Sequence, residues 1–173
     1  MAHSVELLLD AETDAALRGA WDALAQAALP SQARHTGVSN RPHVTLAVAD
    51  AIAADVDDSL TALAGRLPLD CTIGAPLLFG AGRFTLARLV VPSAELLALQ
   101  ERVHQICLPH MSPGPAPHTH PGRWTPHTTL ARRISAAQLG EAFAVLPGGE
   151  LSGRFVALRR WDGDQRIEHR LIS

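Results

Sequence analysis

The sequence predicts an α+β domain of two pseudo-symmetric lobes, with antiparallel-rich sheets facing a central cleft and helices on the outside. Two observations lead there. The segments Pro42-His43-Val44-Thr45-Leu46-Ala47 and Pro126-His127-Thr128-Thr129-Leu130-Ala131 agree at every position but the third, and they lie 84 positions apart in a chain of 173 residues. That spacing is close to half the length, as an internal duplication gives. Around each copy, extended and helical stretches follow in the same order. Approximate repeats are therefore expected over 4–80 and 83–161, with one more strand over 166–172, all within a single domain, 1–173.

Each element has a local reason. Val5 to Leu9 reads as a strand, and Asp10 can cap a helix whose Leu17, Trp21, Leu24 and Ala28 recur at helical spacing. Pro30 to Arg41 follows as a loop. The strand of His43 is expected to reach about Ala49, with Asp50 capping a second helix through about Arg66 and a strand over Leu69 to Leu78. Gly80-Ala81-Gly82 then breaks the chain before a strand from Phe84 to Val91. Pro92-Ser93 opens a helix that places Leu96, Leu99, Val103 and Ile106 on one face. A loop over 110–123, rich in Pro, Gly and His, is expected to be a mobile segment near the cleft. After the strand of His127, Ser135 and Gln138 form a capping-box pattern for another helix, and Leu151 to Trp161 is extended. Asp162-Gly163-Asp164 is a hairpin signal leading to the last strand, about Arg166 to Ile172.

Composition narrows the classes. With 47% hydrophobic residues the chain can bury enough surface to fold alone, and a monomer is expected. No apolar run is long enough to span a bilayer, and the N-terminus lacks a basic segment followed by an apolar one, so a soluble cytoplasmic protein without membrane association is expected. Cys71 and Cys107 stand in no metal-binding spacing and read as buried thiols. All 15 basic residues are arginine. Without lysine, a nucleotidyl-lysine intermediate, a Schiff base to pyridoxal phosphate and a Walker P-loop are excluded, so any ligase activity would run without ATP. The formal charge of −2 argues against broad binding to long double-stranded nucleic acid.

In a strand, side chains alternate between faces, so His43 and Thr45 point one way while Val44 and Leu46 point the other, and His127 and Thr129 repeat the arrangement. Two imidazoles across a groove can serve as general acid and general base near neutral pH. Two flanking hydroxyls can donate hydrogen bonds to a phosphate between them. The pattern reads as a two-histidine phosphodiester site. Arg41, two positions before His43, and Arg132, at the end of the second strand, could each pair with phosphate. Trp124 could stack on a base at the cleft rim or pack against the core. His104, His110, His118 and His120 cluster loosely but have no Cys or acidic partner at ligand spacing, so no metal and no cofactor are expected.

With both motifs in place, the chain resembles the two-histidine phosphoesterase superfamily, and within it the 2′-5′ RNA ligase-like branch, known also as RNA 2′,3′-cyclic phosphodiesterases. The paired His-x-Thr-x motifs carry the resemblance, together with Trp124-Thr125-Pro126 before the second motif and Ala131-Arg132 after it. Thr128 departs mildly, standing where an apolar core residue would be expected. The resemblance implies a 2′,3′-cyclic phosphate at an RNA or nucleotide end as substrate and its metal-independent hydrolysis to a monoester. His43 would be the acid, His127 the base, and Thr45 and Thr129 the phosphate holders, with ATP-independent 2′-5′ ligation as the reverse reaction. Three other readings stay open at this point: a non-catalytic module that binds a nucleotide or RNA end, a cyclic phosphodiesterase for another small nucleotide such as ADP-ribose cyclic phosphate, and a metallohydrolase using the histidine-rich loop, which would lose activity on chelation.

Overall fold

The structure, a computed structural model, describes residues 1–173. The first half contains β1 (His3–Leu9), α1 (Ala11–Gln26), β2 (His43–Ile52), α2 (Asp57–Thr61) and β3 (Leu69–Phe79). The chain continues through β4 (Arg83–Val90), α3 (Ala94–Cys107), β5 (Met111–Pro115), β6 (His127–Ser135), α4 (Ala136–Val145), β7 (Leu151–Asp162) and β8 (Ile167–Ile172). Three of the caps read from the sequence are formed. The Asp10 carboxylate accepts from Thr13 N at 3.0 Å, Ser93 Oγ accepts from Leu96 N at 3.2 Å, and Ser135 N donates to Gln138 Oε1 at 3.0 Å. No helix is long and apolar enough to cross a membrane.

All strand pairs are antiparallel, in the order β5-β2-β1-β7-β3-β4-β6 with β8 beside β7. The α+β class thus holds, and β7 explains how two halves share one hydrogen-bonded sheet. Its first part, Leu151–Phe155, pairs with β3, and its later part pairs with β1 on the opposite edge; Phe155 faces both Leu69 and Leu9. β8 then takes the edge that β3 leaves, from Leu158 to Asp162. Although β2 and β6 are well separated in the strand order, they touch in space, so the sheet curls until its two ends bound a cleft. α3 packs on β2, and α1 packs on β6 and β7.

Two local expectations are corrected. Asp50 caps no helix, because β2 runs on to Ile52, held by pairing of Ala49 with Pro115 and of Ile52 with Met111. Only Asp57–Thr61 is α-helical in the following stretch, between short 3₁₀ turns at 54–56 and 64–66. At the start of that helix, the partly exposed Asp57 makes a bidentate pair with the buried Arg160, at 2.6 and 2.9 Å. The loop over 110–123 is likewise organised: it contains β5, which extends the sheet beyond β2, and a 3₁₀ turn at Pro117–Thr119. Cys71 and Cys107 are free thiols, Cys107 buried as expected and Cys71 only partly so, and burial pushes the pKa of each up to about 12.

Candidate active site

His43 begins β2 and His127 begins β6, each directly after a proline. In both copies the residue after the histidine is fully buried, Val44 or Thr128, while His43, Thr45, His127 and Thr129 remain partly accessible and line a common cleft of about 500 Å³. The alternation read from the sequence therefore brings all these side chains together. It then breaks at the same place in each copy. Opposite β1, Thr45 pairs with Glu6 and Ala47 with Val5, leaving Leu46 as an extra residue; opposite β4, Thr129 pairs with Ala87 and Ala131 with Leu86, leaving Leu130 extra. These bulges bury Leu46-Ala47 and Leu130-Ala131 as consecutive pairs. The leucine of each motif is thus a bulge residue, and the strand beyond it is re-aimed.

The imidazoles are held identically. Nδ1–H of His43 donates to Arg41 O at 2.8 Å, and Nδ1–H of His127 donates to Thr125 O at 2.8 Å. A carbonyl can only accept, so the proton sits on Nδ1 in the neutral ring, and Nε2 is the atom left for chemistry. The threonine backbones are tied reciprocally as well. Trp124 Nε1 donates to Thr45 O at 2.9 Å, and Trp21 Nε1, from α1, donates to Thr129 O at 3.0 Å.

Beyond this shared geometry the surroundings differ. Next to His43 lies Glu6, only 5% exposed, whose Oε1 is 3.7 Å from Nε2 of His43. The hydroxyl of Ser4 donates to the same oxygen at 2.6 Å, and Arg159 holds Oε2 through Nε at 2.8 Å. Burial alone would raise the Glu6 carboxyl, but the charges of His43 and Arg159 and the hydrogen bonds from Ser4 and Arg159 outweigh it and hold its pKa below the usual carboxylate range. Next to His127 lies no acid. Its ring packs against Phe79, with centroids 4.6 Å apart. Burial pushes the His127 pKa down, and the charges of Arg132, His43 and His118 act in the same direction against the bond to Thr125.

Of the other residues singled out by sequence, Arg132 and Trp124 line the cleft. Arg132 is exposed beside Arg133, whose φ of 63° marks a further irregularity in β6. Trp124 is partly buried against the core while its indole holds Thr45. Arg41 does not reach the cleft. It precedes β2, so strand alternation does not apply to it, and its guanidinium lies 4.0 Å from Glu168 instead. The histidines of the 104–120 stretch disperse: His110 pairs with Asp55 at 2.8 Å, His104 packs 5.2 Å from His120, and His118 alone lines the cleft. Glu6, Phe79 and Arg123 are cleft residues that sequence reasoning missed. Glu6 had a signal, a lone acid inside the otherwise apolar Val5–Leu9 strand; Phe79 and Arg123 had none. A separate groove of about 370 Å³ beside Arg88 holds no acid–base pair, and its arginine is bound to carbonyls, including Gly74 O at 2.6 Å.

An antiparallel α+β fold that closes on a cleft with one His-x-Thr-Leu strand from each half is the architecture of a two-histidine phosphoesterase. The chain belongs to the 2′-5′ RNA ligase superfamily, whose family profile matches residues 11–165. A search of curated protein sequences finds no significant match. Among solved structures, TT0787 of Thermus thermophilus is similar with a TM-score of 0.58 at 19% identity, covering 99% of this chain and 95% of the other. E. coli LigT complexed with 3′-AMP gives 0.53 at 16% identity, covering 99% and 93%. Kluyveromyces marxianus Usb1 with uridine monophosphate gives 0.54 at 14% identity, covering 99% and 98%. At these identities the likeness is one of fold.

Proposed function

We propose that this protein hydrolyses 2′,3′-cyclic phosphates at RNA or nucleotide ends by two-histidine acid–base catalysis. The observation that carries the reading is the matched pair of imidazoles, each with Nδ1–H anchored to the carbonyl two residues earlier and each flanked by a threonine in one cleft. In the proposed reaction, water attacks phosphorus and gives its proton to Nε2 of His127. The bond from phosphorus to one ribose oxygen breaks, and Nε2–H of His43 protonates that oxygen, leaving a monoester. Proton exchange with solvent then resets both rings. Thr45 and Thr129 hold the non-bridging oxygens as negative charge grows on them.

The two environments support this division of roles. A base must be neutral at the working pH, and the depressed pKa of His127 keeps it so. Beside His43 stands the buried Glu6, whose carboxyl is held below the usual carboxylate range, whereas His127 has Phe79 at its side and no acid. LigT with 3′-AMP and Usb1 with uridine monophosphate are nucleotide complexes on the same fold, which supports a nucleotide-bearing substrate. With a ribose hydroxyl in place of water as the nucleophile, the same groups would join a cyclic-phosphate end to a second RNA end without ATP.

The test is a panel of nucleoside 2′,3′-cyclic phosphates and short RNAs with cyclic ends, with products resolved by phosphorus NMR, with and without EDTA. Monoester formation insensitive to chelator is expected. Tight binding of every substrate without turnover would replace this reading with a binding module, and activity lost to EDTA and restored by zinc or manganese would replace it with a metallohydrolase.

A further inference from the structure

The segment from Ala116 to Trp124 is stapled to the strand that carries the first motif. Ala116 N donates to Val48 O at 2.8 Å. Gln100, buried in α3, donates from Nε2 to Leu46 O at 3.2 Å and to Thr119 O at 2.7 Å, so one amide joins the bulge of motif one to the turn of this arm. Trp124 closes the other end on Thr45 O. Between these anchors stand His118 and Arg123, both exposed and both lining the cleft. Their positions relative to His43 are therefore set by the fold.

The charge at this mouth is out of keeping with the rest of the chain. The protein carries a formal −2, yet the cleft gathers Arg123, Arg132 and His118 around the catalytic pair. Its one acid, Glu6, is already held by Arg159 at 2.7 Å. A cyclic phosphodiester is a monoanion, and in the functional reading above Thr45 and Thr129 hold its non-bridging oxygens. The charge on the arm lies beyond that requirement.

Resting on the functional reading above, we infer that the 116–124 arm binds a second phosphate of the substrate, with Arg123 and His118 as its recognition groups. That phosphate sits on the 5′ side of the reacting ribose, as the internucleotide phosphodiester of an RNA end or as the 5′-phosphate or diphosphate of a small nucleotide. A guanidinium on a fixed arm suits either, since paired N–H groups match phosphate oxygens.

The experiment compares kcat/KM for adenosine 2′,3′-cyclic phosphate, its 5′-phosphorylated form, ADP-ribose cyclic phosphate and a diadenosine ending in a cyclic phosphate. Wild type is expected to prefer substrates with a second phosphate by about tenfold or more, the preference falling as salt rises. Arg123→Ala and His118→Ala should each shrink that preference severalfold, and the double variant should bring it near unity, with unchanged thermal midpoints. A preference for the dinucleotide alone identifies an RNA end; a preference shared by the 5′-phosphorylated mononucleotide identifies the terminal phosphate of a small nucleotide. No preference in wild type, or a preference untouched in the double variant, overturns the inference while leaving the two-histidine reading intact. Absence of turnover on all four substrates would instead overturn that reading.

Discussion

Replacing His127 separates chemistry from folding, because the two effects differ in size. The side chain is partly accessible, its one hydrogen bond is Nδ1–H to Thr125 O, and its ring packs against Phe79. Losing that bond costs about 1 kcal/mol net, which in a domain of this length moves the thermal midpoint by roughly 2–4 °C. Removing a general base costs about 10²- to 10⁴-fold in rate, or roughly 2.7–5.5 kcal/mol of barrier. Asparagine sharpens the comparison, since its amide can replace the Nδ1 donor to Thr125 O but cannot accept a proton at neutral pH. Both His127→Ala and His127→Asn should therefore lose at least about a hundredfold in kcat on a 2′,3′-cyclic nucleotide, with Asn retaining the wild-type midpoint more closely. Turnover is read by chromatography of the monophosphate, and stability by differential scanning fluorimetry on the same samples. Near-full activity in His127→Asn would refute the assignment of His127 as base. So would a loss of activity in His127→Ala that His127→Asn fully restores, because the residue would then act through its Thr125 bond alone.

Two further outcomes follow from the environment of the site and of its frame. Phe79→Ala should move the acid limb of log(kcat/KM) to higher pH: burial holds the His127 pKa down, activity is lost as that group protonates, and opening the pocket lets its pKa rise toward the ordinary histidine value, so a limb that stays in place or moves to lower pH would refute it. Asp57→Ala leaves Arg160, 1% exposed, without its bidentate partner and should destabilise the fold by about 3–5 kcal/mol, read as a large fall in thermal midpoint; a fall of only a degree or two would show that Arg160 finds water or another partner.

The sequence made the shared cleft position of the two motifs legible because strand alternation is local: proline, histidine and threonine at fixed spacing suffice to place His43 and Thr45 on one face. Capping residues were legible for the same reason, and Asp10, Ser93 and Ser135 all act as read. What failed depended on distant partners. Asp50 looked like a cap because nothing nearby reveals that β5, far along the chain, will pair with β2 and hold it extended to Ile52. The 110–123 loop looked mobile because its Pro, Gly and His content shows no periodicity, while the amide of Gln100 and the indole of Trp124 that fix it act through backbone carbonyls, which leave no trace in the side-chain pattern. Arg41 shows the converse error, alternation extended past the start of the strand.

Acid and base cannot be told apart from the motifs alone. Each copy repeats its histidine bond, its tryptophan-tied threonine and its bulged leucine, so symmetry within the strands extends to every contact the motif makes by itself. The difference enters from neighbouring strands. β1 sets Glu6, with Arg159 and Ser4 behind it, beside His43, while the end of β3 sets Phe79 against His127. A carboxylate and a phenyl ring are opposite environments for an imidazolium, one attracting the charge and the other excluding the water that would solvate it. On the proposed mechanism, two nearly identical strands perform complementary proton transfers because the chemical distinction between them is made in the layer behind the motif.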